Sequence, residues 1–287
     1  MQPTTANAIH SWLAQLRFLG ENHECLAPNF WRPFHFATLA LQIARAGTPT
    51  LGMPDKVAAY AARMRLWQAI GLASPTSVIE HDPRGKFVPL ERLDDRREVN
   101  ASAVKLAAIS TTYGADRETT NSLEISLNEI MENCFAHAEV ASPLQGLACA
   151  QSWPRGSLAQ IAIADCGIGV RESLSRNANL VERLEVMNGC ELATQFGVTG
   201  KPGMGHAGYG LALTRQLLEA NGGTLIVQSG SEWFSTAGRT LTTGHSMFRW
   251  PGTLVVLEWN CERPLRVKDV YSSWPTVGGY SDDDFDF

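Results

Sequence analysis

The most informative stretch of this chain runs from residue 121 to residue 138 and reads NSLEISLNEIMENCFAHA. Its apolar side chains recur every three or four residues, the spacing that places them along one side of a helix. The members of this stripe are Leu123, Leu127, Ile130, Met131, Cys134 and Phe135. The stretch therefore predicts a helix with one buried side.

Polar residues share another face of that helix. Glu129, Asn133 and His137 follow one another at intervals of four, so their side chains project in nearly the same direction. An amide oxygen can complete the octahedral shell of magnesium, while a neighbouring carboxylate orients or deprotonates a nucleophile. Glu129 and Asn133 thus suit a nucleotide hydrolase, although the same spacing also fits a polar stripe that faces solvent.

A second motif lies in residues 157–170, SLAQIAIADCGIGV, where an apolar strand runs into Asp165. Gly167 and Gly169 allow the backbone to turn tightly and to approach a flat ligand closely. The Asp165 carboxylate can accept a hydrogen bond from an exocyclic amine such as that of adenine. An ordinary strand-to-loop turn is the alternative interpretation of this motif.

The third motif is GMGHAGYG at residues 203–210, which stands immediately before a predicted helix that ends near Ala220. Glycine backbone lets successive N–H groups converge on an anion, and the positive end of the helix adds to the attraction. The spacing matches neither a Walker loop nor a dinucleotide-binding strand–turn–helix. Lys201 precedes this motif and either reaches a phosphate or is an exposed lysine on a mobile loop.

The order and spacing of these three motifs resemble those of the GHKL ATPase superfamily of gyrase, chaperone, histidine-kinase and MutL proteins. The resemblance covers residues 121–260, about half of the chain. The asparagine box of that superfamily is similar to residues 129–133. Its first glycine box is similar to residues 165–169, and its second to residues 205–210.

The resemblance implies ATP and Mg²⁺ as cofactors and a role for each matching residue. Glu129 would be the general base, Asn133 would hold magnesium and Asp165 would read adenine. The remaining nucleotide-binding candidates are Gly167, Gly169, Lys201, Gly205, His206, Gly208 and Gly210. The family fold is a Bergerat-type α/β sandwich, a mixed sheet with helices on one face. A lid at residues 170–204 would join the two glycine boxes.

The run EIMENCFAHA is similar to the anti-sigma-factor serine kinases, which phosphorylate a small antagonist of the STAS type. We therefore expect an ATP-binding regulator that hydrolyses ATP or transfers its phosphoryl group to a protein partner. The alternative is a slow or non-catalytic ATP-dependent switch or clamp that controls a protein–protein interaction. A sensor histidine kinase is disfavoured, because His35 and His81 upstream do not stand in a charged helical motif.

We predict a smaller α/β interaction domain at residues 1–110, the ATP-binding domain at 111–262 and a flexible acidic tail at 263–287. The N-terminal region shows helical periodicity with a short extended segment at residues 48–53, and this order resembles a STAS-like segment. Alternatively, the region braces the ATPase or forms a homodimer surface. The tail ends in Asp282–Phe287, an acidic and aromatic run that either docks on a partner or is simply solvated.

The bulk composition limits the range of partners. A net charge of −5 makes nucleic-acid binding an unlikely function. There is no signal-peptide pattern and no apolar run of the roughly 18 residues that cross a membrane, so we expect a cytoplasmic protein. No CxxC pair or zinc-ligand spacing occurs, which argues against a structural metal. The six scattered cysteines are Cys25, Cys134, Cys149, Cys166, Cys190 and Cys261.

Overall fold

The structure is a computed structural model that describes residues 1–22, 28, 30–46, 53–74, 85–136, 144–202 and 208–275. Its helices are α1 Ala6–Asn22, α2 Pro33–Ala46, α3 Asp55–Arg63, α4 Leu66–Ala69, α5 Val99–Ala107, α6 Arg117–Ala136, α7 Val170–Ser175, α8 Val181–Val186, α9 Gly189–Ala193, α10 Gly210–Asn221 and α11 Val267–Ser272. Its strands are β1 Phe87–Leu93, β2 Gly146–Trp153, β3 Leu158–Asp165, β4 Thr224–Ala237 and β5 Thr240–Asn260.

The five strands form one sheet in the order β1-β2-β3-β5-β4. Every described pair is antiparallel, with Ala148 opposite Ile163 and Ile161 opposite Leu257 in the centre. This differs from the expected mixed sheet. Short connections join β2 to β3 and β4 to β5, and such connections reverse the chain and so produce antiparallel neighbours.

Helices α5, α6 and α10 cover one face of the sheet, as the sandwich fold requires. Their apolar sides meet alternate residues of the central strands, including Ile161, Ile163 and Leu257, in one buried cluster. The predicted stripe of α6 is part of that cluster, with Leu127 and Met131 fully buried. The α/β sandwich that the sequence predicted is therefore present.

The other face of the sheet is covered by α1 to α4, whereas the resemblance implied helices on one face alone. Phe34 and Leu41 of α2 share a buried cluster with Leu147, Cys149 and Val256 of the sheet. The strands are apolar on both faces, and apolar surface is stable only when it is removed from water. The second helical layer follows from this requirement.

The predicted division at residue 110 does not coincide with a break in packing. Strand β1 lies inside residues 1–110 yet pairs with β2, and α2 packs on β2 and β3. The described residues before β1 contain helices and no strand. Most of the extended segment predicted at residues 48–53 lies outside the described residues, so the STAS-like order stays a prediction.

A buried polar network fixes the N-terminus to β5. Glu258, which is 1% exposed, accepts hydrogen bonds from the Thr4 N–H at 2.8 Å and from Arg32 Nη1 at 2.9 Å. Gln160 Nε2 donates to the same carboxylate at 2.8 Å. A buried charge is tolerated when it is paired and hydrogen-bonded in this way.

Residues 263–275 are folded, in contrast to the flexible tail predicted from residue 263. Helix α11 buries Val267 and Val270 against the cluster that contains α6 and α10. The apolar residues at this spacing make the segment part of the core, although its overall composition is polar. The acidic run at Asp282–Phe287 lies outside the described residues. None of the helices in the described ranges is long and apolar enough to cross a bilayer.

Candidate nucleotide site

A cavity of about 310 Å³ lies between α6, the end of β3, the segment after β3 and the start of α10. Six residues that the three sequence motifs singled out line it together. They are Glu129, Asn133, Asp165, Gly169, Gly208 and Gly210. The fold thus gathers side chains and backbone from three separate stretches of the chain around one space.

Helix α6 presents the polar residues of the first motif to this cavity. Leu127, Ile130 and Met131 anchor the helix in the core, which turns Glu129 and Asn133 to the opposite side. Asn133 is half-buried, so its amide is partly shielded and still accessible from the cavity.

Glu129 is exposed to solvent within the cavity mouth. Its pKa is raised, because the cavity walls remove part of its hydration and because the Glu132 carboxylate lies nearby. Glu132 is itself paired with Arg96, whose Nε lies 2.5 Å from Glu132 Oε2. Both members of this pair also line the cavity.

Asp165 ends β3 at the opposite side of the cavity. Its Oδ1 accepts hydrogen bonds from the Gly167 N–H at 2.7 Å and the Thr253 N–H at 3.1 Å. Burial raises the pKa of Asp165 to about 7, even though these two hydrogen bonds act in the opposite direction. Gly252 packs so closely that a Cβ there would lie 2.3 Å from the Asp165 carbonyl oxygen.

The first glycine motif turns the chain away from Asp165 and into α7. Gly169 has a φ of +84°, a left-handed conformation that favours glycine, and it lines the cavity. The next residue, Val170, donates its N–H to Ser229 Oγ at 2.8 Å. Gly167 shapes the turn through its hydrogen bond to Asp165 and is not part of the cavity wall.

The start of α10 lies directly beside Glu129. A Cβ built on Gly210 would be 2.7 Å from the Glu129 Cβ, so glycine is required for the two helices to approach this closely. The first N–H groups of α10 have no carbonyl partner within the helix and can serve an anion. Gly205 and His206, which the sequence assigned to the same loop, lie outside the described residues.

Gly208 is constrained both by its backbone and by its neighbour. Its φ is +74°, and a Cβ would lie 2.5 Å from the carbonyl oxygen of Val198. The second glycine motif is thereby packed against the segment that follows α9. Lys201, on the same segment, is half-buried and does not line the cavity; its N–H donates to Thr199 Oγ1 at 3.1 Å.

Residues 170–202, which form the described part of the predicted lid, fold as α7, α8 and α9 around a small apolar cluster of their own. The lid is tied to β4 through Glu232, which is 5% exposed. Arg171 donates to both oxygens of Glu232, at 2.6 and 2.8 Å, and the Gly189 N–H donates to Oε1 at 3.2 Å.

Several cavity residues were not singled out from the sequence. Arg96 stands in the charged run ERLDDRRE, which indicates only a solvated connection, and Thr253 and Tyr209 carry no distinguishing pattern. Each reaches the cavity through contacts between distant parts of the chain. For Tyr209, the position inside the second glycine motif is the feature of the sequence that could have indicated a place in the cavity.

The residues present fit a magnesium nucleotide. The cavity lies within the usual range of small-molecule sites, roughly 300–1,000 Å³. Asp165 offers a carboxylate to an exocyclic amine at one end, and the α10 N-terminus offers N–H donors to phosphates at the other. Asn133 would supply an amide oxygen to Mg²⁺, an ion that commonly takes its other ligands from phosphates and water.

Comparison with known proteins agrees with this geometry. Residues 93–221 match the family model described as a histidine kinase-like ATPase domain. A stretch of 103 residues is 31% identical to the circadian input-output histidine kinase CikA of Synechococcus elongatus. That stretch is 36% of this chain and 12% of the relative, so the chain spans only a small part of that protein's length.

The family match begins at the end of β1 and ends with α10, and so contains the three elements that frame the cavity. Glu129, Asn133, Asp165, Gly208 and Gly210 all fall within it. The three elements that frame the cavity therefore lie within a stretch that matches the histidine kinase-like ATPase domain, as the resemblance to the GHKL superfamily predicted.

Proposed function

We propose that this protein binds Mg-ATP in the cavity and hydrolyses it or transfers its phosphoryl group to a protein partner, in the manner of an anti-sigma serine kinase. The observation that carries the proposal is the convergence of Glu129, Asn133, Asp165 and Gly210 on one cavity of about 310 Å³. Hydrolysis or transfer needs a base beside the phosphates, and this arrangement offers one.

Asp165 recognises the adenine base. Two backbone N–H groups occupy its Oδ1, which fixes the carboxylate in orientation. In its ionised form the carboxylate accepts the hydrogen bond of the exocyclic amine. Gly169 at the start of α7 keeps the backbone close enough for a flat base to fit.

The other end of the cavity binds the phosphates and is where the chemistry takes place. The N–H groups at the start of α10 would hold phosphate oxygens, and a magnesium ion held by Asn133 would supply charge neutralisation there. Glu129 touches this end through its contact with Gly210. Its raised pKa makes the carboxylate a better acceptor for the proton of an attacking water or Ser/Thr hydroxyl.

The partner and setting follow from the same proposal. A serine kinase of this type acts on a small protein, and we propose a STAS-type or similar regulator as the substrate, with the reaction in the cytoplasm. A homodimer is compatible with this role. The acidic run Asp282–Phe287 is a further candidate for docking on a protein partner.

An ATP-dependent switch without fast turnover is the second candidate. The observation that favours it is the tie between the lid and the long β4–β5 hairpin through Arg171 and Glu232. Asn188 of the lid also donates to the Gly244 carbonyl on β5 at 3.1 Å. A lid that moves with nucleotide would move the hairpin contacts with it.

Phosphate release separates these two functions. The wild type is compared with Glu129→Gln, which keeps the shape of the side chain and removes the base, and with Glu124→Gln, a control on the same helix outside the cavity. We expect ATP binding by all three proteins, and at least a hundredfold slower release in Glu129→Gln. ATP that binds to the wild type and is consumed neither by release of phosphate nor by transfer to a protein would favour the switch.

A further inference from the structure

Four aromatic side chains form a cluster next to the nucleotide cavity. The Phe196 ring, in the lid, stacks on Tyr209 with centroids 4.7 Å apart and meets Trp274 edge-on at 4.7 Å. Trp274 also contacts Tyr209 at 5.3 Å and Tyr271 at 5.2 Å. The cluster therefore joins the lid, the second glycine motif and the C-terminal segment.

The segment that carries Trp274 is firmly attached to the two helices that frame the cavity. The Val267 N–H donates to Ser122 Oγ of α6 at 3.1 Å, and the Trp274 indole N–H donates to Gln216 of α10 at 2.9 Å. Arg266 pairs with Asp116, just before α6 begins, at 3.0 Å. This segment follows the last strand and lies outside the family match of residues 93–221.

The cluster meets the cavity at Tyr209. Tyr209 precedes the first residue of α10 and lines the cavity, and its ring contacts both Phe196 and Trp274, which also contact each other. Burial and the charge of Glu129 raise the pKa of Tyr271, which belongs to the same cluster. The residue before α10 is thus in contact with rings outside the three sequence motifs.

We propose that Trp274 is a positioning residue for the nucleotide phosphates, holding Tyr209 and the N-terminus of α10 in the orientation that meets them. The inference rests on the proposed ATP-binding function and adds the C-terminal segment to the site. Loss of the indole removes one ring contact from Tyr209 and one from Phe196, the ring that stacks on Tyr209. Ring pairs of this kind are worth enough to change affinity about three- to tenfold.

The experiment compares ATP with adenosine, because adenosine has the base that Asp165 reads and no phosphates. Binding of each is measured for the full chain by titration calorimetry, in the wild type, Trp274→Ala and Trp274→Phe. Trp153→Ala is the matched control, since Trp153 is a half-buried tryptophan at the end of β2 far from Asp165 in the strand register.

We expect Trp274→Ala to bind ATP about three- to tenfold more weakly and adenosine within about twofold of the wild type. Trp274→Phe, which keeps a ring, and Trp153→Ala should retain the wild-type ratio of the two affinities. A general loss of stability would weaken both ligands together, so an unchanged ATP-to-adenosine ratio in folded Trp274→Ala overturns the inference.

If Trp274→Ala does not fold, Phe196→Ala removes the other ring on Tyr209 and decides the matter by the same ratio. An unchanged ratio in that variant also overturns the inference, and a selective loss of ATP affinity supports it. A wild type that binds neither ligand contradicts the proposed function first, and the inference with it.

Discussion

Asp165 has to be ionised in order to accept the hydrogen bond of adenine, yet burial raises its pKa to about 7. Below pH 7 the empty site holds the protonated acid, which must release a proton before the exocyclic amine can donate to it. We therefore expect affinity for adenosine to fall as pH is lowered from 8 to 5.5, approaching about tenfold per pH unit.

Titration calorimetry across this pH range checks the prediction. Adenosine is the suitable ligand because it has no phosphate that titrates in the same interval. Asp165→Asn has no carboxyl group, so its binding should be weaker and independent of pH. Constant wild-type affinity between pH 5.5 and 8 would mean that Asp165 does not read the base.

At the scale of single elements, the close approach of α6 and α10 depends on Gly210. A Cβ at this position would lie 2.7 Å from the Glu129 Cβ and 3.2 Å from its Oε2. Gly210→Ala should therefore push the α10 N-terminus away from Glu129, destabilise the fold by about 1–3 kcal/mol and weaken ATP binding at least tenfold.

Thermal unfolding and ATP titration of the same preparation measure both effects. Gly197→Ala is the control, because a Cβ at Gly197 meets open space and strains only the backbone of the lid. It should lose some stability and keep most of its ATP affinity. Equal affinities in Gly210→Ala and the wild type would show that helix spacing does not set phosphate binding.

Local periodicity was enough to predict the elements that carry the site. The stripe through Leu127 and Met131 predicted α6, and the apolar run before Asp165 predicted β3. The helical periodicity of the N-terminal region did not predict the break between α3 and α4, where Arg65 adopts a left-handed φ of 57°. A helix break at a single residue leaves the spacing of the apolar residues unchanged, so the sequence does not show it.

Contacts between distant parts of the chain were not predictable in this way. Trp274 meets Phe196 and Tyr209 across more than sixty residues, and nothing in the spacing of these aromatics indicates that they touch. Arg96 reaches the cavity from a charged connection for the same reason. Such contacts depend on the packed sheet and emerge only when the layers come together.

At the scale of the whole molecule, the N-terminal helices replace solvent on the second face of the sheet. Leu147, Cys149, Ala162 and Val256 are fully buried beneath α1 to α4. A separate interaction domain was predicted at residues 1–110, and the three motifs all lie after residue 120. The motifs indicate which residues bind a ligand. They do not indicate which layers of the fold pack together.

Removal of residues 1–74 tests this arrangement. The shortened chain should fail to unfold cooperatively and should associate, because the apolar second face of the sheet would be exposed. Circular dichroism during heating and size-exclusion chromatography measure the two properties. Addition of residues 1–74 as a separate chain should restore folding. A shortened chain that melts cooperatively as a monomer and binds ATP would support the separate domain.

The central claim is that ATP occupies the cavity between α6, β3 and α10. Titration of Mg-ATP into the full chain, beside a folded Asp165→Ala variant, tests it most directly. We predict saturable binding of one ATP per chain in the wild type and at least tenfold weaker binding in Asp165→Ala. No binding by the folded wild type, or equal binding by both proteins, would contradict the claim.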